Sequence, residues 1–512
     1  MHGVKATVIA SDVIPGCPSG LASVTMALSG VVHSMSCFFS KTSDERCYFS
    51  KGCEVSMASE HYLDSTTLSG AMLAVEPRHR GGTTTRGARH HDTGLDPPPS
   101  WMLLRKQRVC MNYFPLTTAQ HEWQERTAEL SARDIGPRAA EVDQKAQFPQ
   151  ASLHALRDAG LWAIRVPQQY GGLGLDLVTT CLIVEEVAKQ CPSTAMCYKM
   201  HLEAVEAISY IPTAYQRQRY IEPLLRGEVF AAAPGGEPHG KTGDDWTPVR
   251  QKVSTLPRVA GGLLLDHVRK SYVTSAGHAT HYVMFCRVEG GRTEGPPELL
   301  MFKHDEVEWE TIGEWNGLGL RGNCSVPMIF NGVVPEANLV GIELEDTSVP
   351  VMTKYMAPCQ ILTYGAAYLG IASGAFALAC AEGDKRFPSG GRRLDNPINQ
   401  RRMAEMSVHI EAARALLHTV AAMADAGRAP SVLPLLQAKV LCAEVGVRVT
   451  AELMTMFGGT AFAGRLPFER YFRDARAGVV MGLANDVAYE TIGTLLFPAH
   501  EADAGPSRAP TS

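Results

Sequence analysis

MFGGTAFAGRLPFERYFRDAR, residues 456–476, decides how the chain on either side of it folds. An apolar helical pattern runs into FGG at 457–459 and stops there, because a glycine pair lets the backbone leave the helix. Just upstream, Glu444, Arg448 and Glu452 stand four residues apart and mark a wet face. Further back, Met403, Met406, Ile410, Ala413, Leu417, Val420 and Ala424 alternate steps of three and four, which puts all seven on one helix face. Such a stripe is how helices pack in a bundle. Downstream, RDARAGVVMGLANDV at 473–487 leads into a closing helix and carries Gly482.

Residues 361–381, ILTYGAAYLGIASGAFALACA, hold no charge and are long enough to cross a bilayer. Gly365, Gly370, Gly374 and the many alanines give few large lipid-facing side chains, and small residues let helices approach closely. A buried bundle helix is predicted, with a helical region over 346–500. Before it, 228–345 reads as β: GGLLLDHVRKSYVTSAG and HYVMFCRVEGG are short runs of branched and aromatic residues bounded by Gly and charged turns. Before that, 111–227 is helical, with Leu153, Leu156 and Leu161 at near-helical spacing and YGGLG marking a turn. Helices, then strands, then helices exclude an alternating βαβ sheet and give an α+β class.

The ends differ from the rest. Residues 1–110 are rich in Ser, Thr and Gly without periodicity, so disorder is expected, or an extension upstream of a true start at Met111. His90 and His91 read as a solvated tail, since no further metal ligand follows at useful spacing. Residues 501–512 are expected to be a disordered tail.

At 512 residues, 45% hydrophobic, 20% charged and net charge −5, the balance is that of a soluble globular protein of several domains and not of a basic nucleic-acid binder. Thirteen scattered cysteines, none spaced as CxxC, suggest neither a disulfide framework nor a zinc ribbon and fit a reducing, cytoplasmic compartment. The start has no basic segment followed by an apolar run, as a signal peptide would. Two nucleotide motifs are refused. GGEPHGKT at 235–242 matches a phosphate loop, but Gly243 and Pro248 deny the helix whose amides would face the phosphates. Gly317, Gly319 and Gly322 form a GxGxxG, but Pro327 and a β-type run follow, so this is a loop between strands.

From about 114 to 498 the chain resembles the acyl-CoA dehydrogenase superfamily, with all three segments in order. ALRDAGLWAIRVPQQYGGLGLD and YQRQRYIEPLLRGE are similar to its front helical domain. GGEP, DHVRKSYVTSAGHATHYVMF and GLRGNCSVPMIFNGVVPEANLVG are similar to its β domain, and 456–476 to its closing bundle. The resemblance implies an FAD enzyme with an N-terminal all-α domain, a middle antiparallel β domain and a C-terminal four-helix bundle, assembled as a homodimer or homotetramer. It implies an acyl-thioester substrate and an electron acceptor protein or oxygen; from the composition no membrane or nucleic-acid partner is expected, and no metal. By the same resemblance Tyr272 lies beside the flavin and Thr274 offers a hydroxyl to its N5 edge. Arg386 meets a neighbouring subunit's FAD diphosphate, and Gly458 and Gly459 let backbone approach that cofactor. Two departures stand out. Ser389 replaces an expected aromatic near Phe387, and Thr455 replaces the usual Gln ahead of the Gly pair.

Dehydrogenation of an acyl thioester needs a carboxylate to take the α proton. The resemblance puts the family's Glu at Gly482 and its neighbouring Thr at Ala484; a minority of members carry the Glu where this chain has Gln360. Neither residue accepts a proton at neutral pH. Three substitutes are candidates: His201 in KMHLEAVEAI, Asp486 one turn after Gly482, and Glu490 beyond it. Two activities are expected on this basis, a dehydrogenase with a relocated or altered base, or a flavin-dependent monooxygenase that needs no carboxylate at 482. A non-redox lyase or a flavin-binding protein without catalysis completes the set.

Overall fold

A computed structural model of the chain describes residues 113–237, 253–293, 296–342, 356–427 and 431–498, together with the backbone of short strands nearer the start. Among those early strands, β1 (Thr7–Val13), β2 (Leu21–Leu28) and β3 (Val31–Phe38) pair antiparallel in that order, where the sequence showed no periodicity and disorder was expected. They belong to a unit of their own, Met1–Pro98. His90, His91 and everything beyond 498 lie outside the described residues.

The second unit opens with α1 (Thr118–Leu130), entered through a capping box in which Thr117 and Gln120 each satisfy the other's backbone amide. After α2 (Gln150–Asp158) come α3 (Leu177–Gln190), capped by Asp176, and α4 (Pro192–Ile208), which begins with a proline where no donor is needed. Both α3 and α4 are buried nearly all round.

The β region holds β4 (Gly262–Val273), β5 (His281–Val288), β6 (Glu298–Lys303), β7 (Glu308–Thr311) and β8 (Val326–Val334). One sheet pairs β6 with β5, the other runs β7, β8, β4, and these long pairs are antiparallel. Two-residue strands at Ala231–Ala232 and Thr255–Leu256 join β5 in parallel. The two refused motifs find their explanation here. From 235 to 237 the first forms no helix, with Glu237 accepting from Lys270 Nζ and from the amide and hydroxyl of Ser254; its remainder lies outside the described residues. The second lies in the loop between β7 and β8, where a Cβ on Gly319 would come within 2.3 Å of the Arg473 carbonyl oxygen. Close backbone approach, not a phosphate, requires that glycine.

The rear holds α5 (Ala357–Gly383), α6 (Pro397–Asp425), α7 (Val432–Phe457), α8 (Phe468–Ala475) and α9 (Asn485–Leu496). The α6 stripe packs as its spacing requires: Met403 through Val420 are buried, and Ala424 at the helix end is half-buried. The long apolar α5 is interior, with 83% of its most apolar window buried. A Cβ on Gly370 would lie 2.6 Å from Ala188 Cβ, and one on Gly374 would lie 2.4 Å from the Lys189 carbonyl, so α5 rests directly on the α3 backbone. Glu185 of α3 fixes that contact by accepting from Ser373 Oγ at 2.9 Å and from Arg414 of α6 at 2.7 Å. The arginine holds its carboxyl down to about 2 despite burial.

Candidate functional site

The end of β4 is where the backbone departs from ordinary geometry. Tyr272 has φ +54° and is 72% exposed, and Ser275 has φ +65°. A bulky side chain at positive φ is costly, and such strain concentrates at functional sites. Between them Thr274 is buried, its Oγ1 2.8 Å from Ser325 Oγ. Two hydroxyls carry two hydrogens and this bond uses one, so one O–H remains to donate elsewhere. Beside them the side-chain amide of Asn323 is buried with neither Oδ1 nor Nδ2 bonded.

The first half of α4 packs on this strand end: Ser193 Oγ accepts from the Gly322 amide at 3.2 Å, and Cys197 Sγ lies 3.9 Å from the Asn323 carbonyl. One turn further, α4 reaches a second corner. Lys199 and Glu203, both fully buried, form an ion pair at 2.5 Å. Lys199 Nζ sits 3.3 Å from the centroid of the Tyr364 ring on α5, and Tyr364 OH donates to Met200 Sδ at 3.5 Å. Gln360, one turn before Tyr364, donates from Nε2 to Glu203 Oε1 at 3.4 Å. Above them stands Gly482, with φ +73° and a Cβ position only 3.1 Å from the Tyr364 ring. Burial pushes the Glu203 carboxyl up and the Lys199 ammonium down, and each charge opposes the other's shift. Lys439 of α7 holds the loop that bears Gly482, donating to the carbonyls of Gly478 and Leu483 and to Asn485 Oδ1 at 2.7–2.9 Å. Burial lowers its ammonium to about 8.

The candidate bases do not converge on this corner. His201 is buried with both ring nitrogens engaged: Nδ1 accepts from the Ala231 amide at 3.1 Å and Nε2 donates to the Trp162 carbonyl at 2.9 Å. Burial lowers it to about 4, so it is a neutral staple with no lone pair to spare. Asp486 is exposed in the first turn of α9, where a negative charge suits the helix dipole, and Glu490 is exposed further along. Gln360 does reach the corner. Of the cofactor candidates, Tyr272 and Thr274 share the β4 end. Thr455 is exposed and donates back to the Ala451 carbonyl at 3.2 Å, within its own helix. Gly458, at φ +56° and ψ −134°, and Gly459 end α7 with nothing within 4 Å of a Cβ position, so their backbone is open to a close neighbour. Arg386 is exposed, in a backbone bridge with Arg392. Sequence reasoning missed Lys199, Glu203, Tyr364, Lys439 and Ser325. For the first two a signal existed: oppositely charged residues four apart within a mostly apolar helix.

An outward aromatic, a spare hydroxyl hydrogen and an unspent amide lie together at the β4 end, groups of the kind that would face a flat, polar ring, and the fold around them is that of a flavoprotein oxidoreductase. Family models for the acyl-CoA dehydrogenase N-terminal and C-terminal domains match residues 117–228 and 362–496. The chain belongs to the acyl-CoA dehydrogenase family. It is 30% identical over 391 residues to a short-chain specific acyl-CoA dehydrogenase of Clostridium acetobutylicum, covering 75% of this chain and 99% of the relative. It is 27% identical over 401 residues to a 3-sulfinopropanoyl-CoA desulfinase of Paraburkholderia xenovorans, covering 75% and 97%. The solved structure of butyryl-CoA dehydrogenase from Megasphaera elsdenii superposes with a TM-score of 0.66 at 22% identity, over 75% of this chain and 99% of that one. The enzyme is an FAD-dependent oxidoreductase.

Proposed function

We propose that this enzyme removes two hydrogens from adjacent carbons of a short acyl thioester and passes the electrons to an acceptor protein. The observation that carries the reading is the course of α4. Its first half meets the β4 end, its second meets Gln360 and Tyr364, whose ring faces Gly482, and so a ring against the strands and the reacting carbons would lie along one helix. Tyr272, the Thr274–Ser325 pair and the Gly458–Gly459 backbone would hold FAD, with Arg386 of an adjoining copy at its diphosphate in a homodimer or homotetramer. An arginine fork suits that diphosphate. FAD there would supply the two-electron acceptor. The buried Tyr364 ring narrows the site beyond Gln360, which favours a short acyl chain.

Anaerobic mixing of the FAD-loaded protein with short- to long-chain acyl-CoA thioesters tests this. Bleaching of the flavin, fastest with short chains, is expected; no bleaching with any thioester would overturn it. Oxygen uptake that appears only when a reductase supplies reduced flavin would mark a monooxygenase. A second reading, carbon–sulfur cleavage of a 3-sulfinoacyl thioester, is favoured by the missing carboxylate at Gly482 together with the desulfinase relative. Sulfite release from 3-sulfinopropanoyl-CoA with the flavin left oxidised would select it.

A further inference from the structure

We propose that Glu203 is the catalytic base, accepting the α proton in place of a side chain at 482 or 360; this rests on the acyl-thioester reading above. Position 482 cannot supply the base. It is glycine at φ +73°, and any side chain there meets the Tyr364 ring within 3.1 Å. Position 360 carries an amide, which does not accept a proton. Glu203 adjoins position 360 directly and position 482 through Lys199 and the Tyr364 ring. Its Oε1 takes a hydrogen from Gln360 at 3.4 Å, and its Oε2 pairs with Lys199, whose ammonium lies on the same Tyr364 ring that blocks position 482.

Three other buried carboxylates are committed elsewhere. Glu185 is held by Arg414 and Ser373, Glu206 by both ends of the Arg165 fork, and Asp143 by Arg473. On Glu203, by contrast, Oε1 receives one long amide bond and keeps lone-pair capacity. Half-buried Gln360 covers that oxygen, so turning its side chain aside uncovers the base. Lys199 keeps the carboxyl ionised while burial makes it more basic than an exposed glutamate, the combination a general base needs near neutral pH. In the step, the Cα–H bond breaks and its proton forms an O–H bond on Glu203. The electron pair becomes the π bond to the β carbon, whose hydride bound FAD would take up as the two-electron acceptor and so be reduced, leaving an enoyl thioester and a neutral Glu203.

The test compares FAD-loaded wild type with Glu203→Gln, Lys199→Met/Glu203→Gln and Glu203→Gln/Gln360→Glu. The readouts are anaerobic bleaching, deuterium wash-in at the substrate α carbon in D2O, and FAD content. Loss of the carboxylate is expected to slow bleaching and wash-in by at least about 100-fold with FAD retained. The double change at 199 and 203 removes both charges and leaves no uncompensated lysine, so it separates folding from chemistry. Moving the carboxylate to 360 should recover at least about tenfold over Glu203→Gln. Wild-type bleaching in folded Lys199→Met/Glu203→Gln overturns the assignment of Glu203 while leaving the acyl-thioester reading intact; a wild type that no thioester bleaches overturns that reading, and this one with it.

Discussion

His201 and Glu203 lie two residues apart on α4, yet they face different tasks because of what surrounds each. The imidazole stacks on Phe230 with centroids 5.2 Å apart and spends both nitrogens on backbone groups. Deleting it strands a buried amide and carbonyl and opens a cavity, so His201→Ala should cost about 2–4 kcal/mol in urea unfolding. The pH dependence has a definite sign. Held at about 4 when folded against an ordinary 6.5, the imidazole stays neutral where the unfolded chain binds a proton. Its contribution is therefore full above about pH 6.5 and is lost as pH falls toward 4, by about 3 kcal/mol at most. Urea midpoints at pH 7 and pH 5 in wild type and His201→Asn should show the smaller loss in the variant. Folded His201→Asn should keep the wild-type pH profile of flavin bleaching, whereas a profile that loses an inflection near 6.5 would restore the histidine as base.

Helices and strands were legible where local pattern and final packing agree. The α6 stripe and the glycines of α5 are both cases in which spacing alone names the buried face, and α7 ends at FGG as the missing side chains dictate. The corner around Glu203 was not legible, because it joins α4, α5 and the loop before α9 across long stretches of sequence. A lysine and a glutamate four apart state that they can pair, but not that Tyr364 and Gln360 will close over them. Small residues on α5 matter most where the opposing atom is backbone. Gly374→Val would drive its Cβ to within 2.4 Å of the Lys189 carbonyl oxygen, which cannot swing away. That change should destabilise the protein by at least about 2 kcal/mol. Gly365→Ala meets the flexible end of Leu417 at 3.1 Å and should cost less. Thermal unfolding of the two variants side by side checks the ranking.

Across the second unit, one short stretch of RDAR ties the front helices, the β region and the rear bundle together. Arg473 forks both oxygens of Asp143 at 2.9 and 2.6 Å and also bonds Glu469 of its own helix at 2.7 Å. Asp474 accepts from the Leu320 amide at 2.6 Å, in the loop whose Gly319 lies against the Arg473 backbone. The order of domains was readable because each segment announces its own period. The clamp was not, since a GxGxxG looks the same whether it faces a phosphate or a neighbouring helix. Burial raises Asp474 to about 7 from an ordinary 3.8, against the pull of the Leu320 amide and the nearby arginines. The folded chain thus keeps a proton that the unfolded chain has released between those values. Stability from this group is full below about pH 4, falls as pH rises toward 7, and is flat beyond, a loss of about 4 kcal/mol at most. Asp474→Asn keeps an oxygen for the Leu320 amide and has nothing to titrate. Its unfolding free energy should therefore decline less than that of wild type between pH 5 and pH 8. Parallel urea curves at the two values decide the matter, and equal declines would show that Asp474 is already ionised at the lower pH and that the clamp holds a true buried charge.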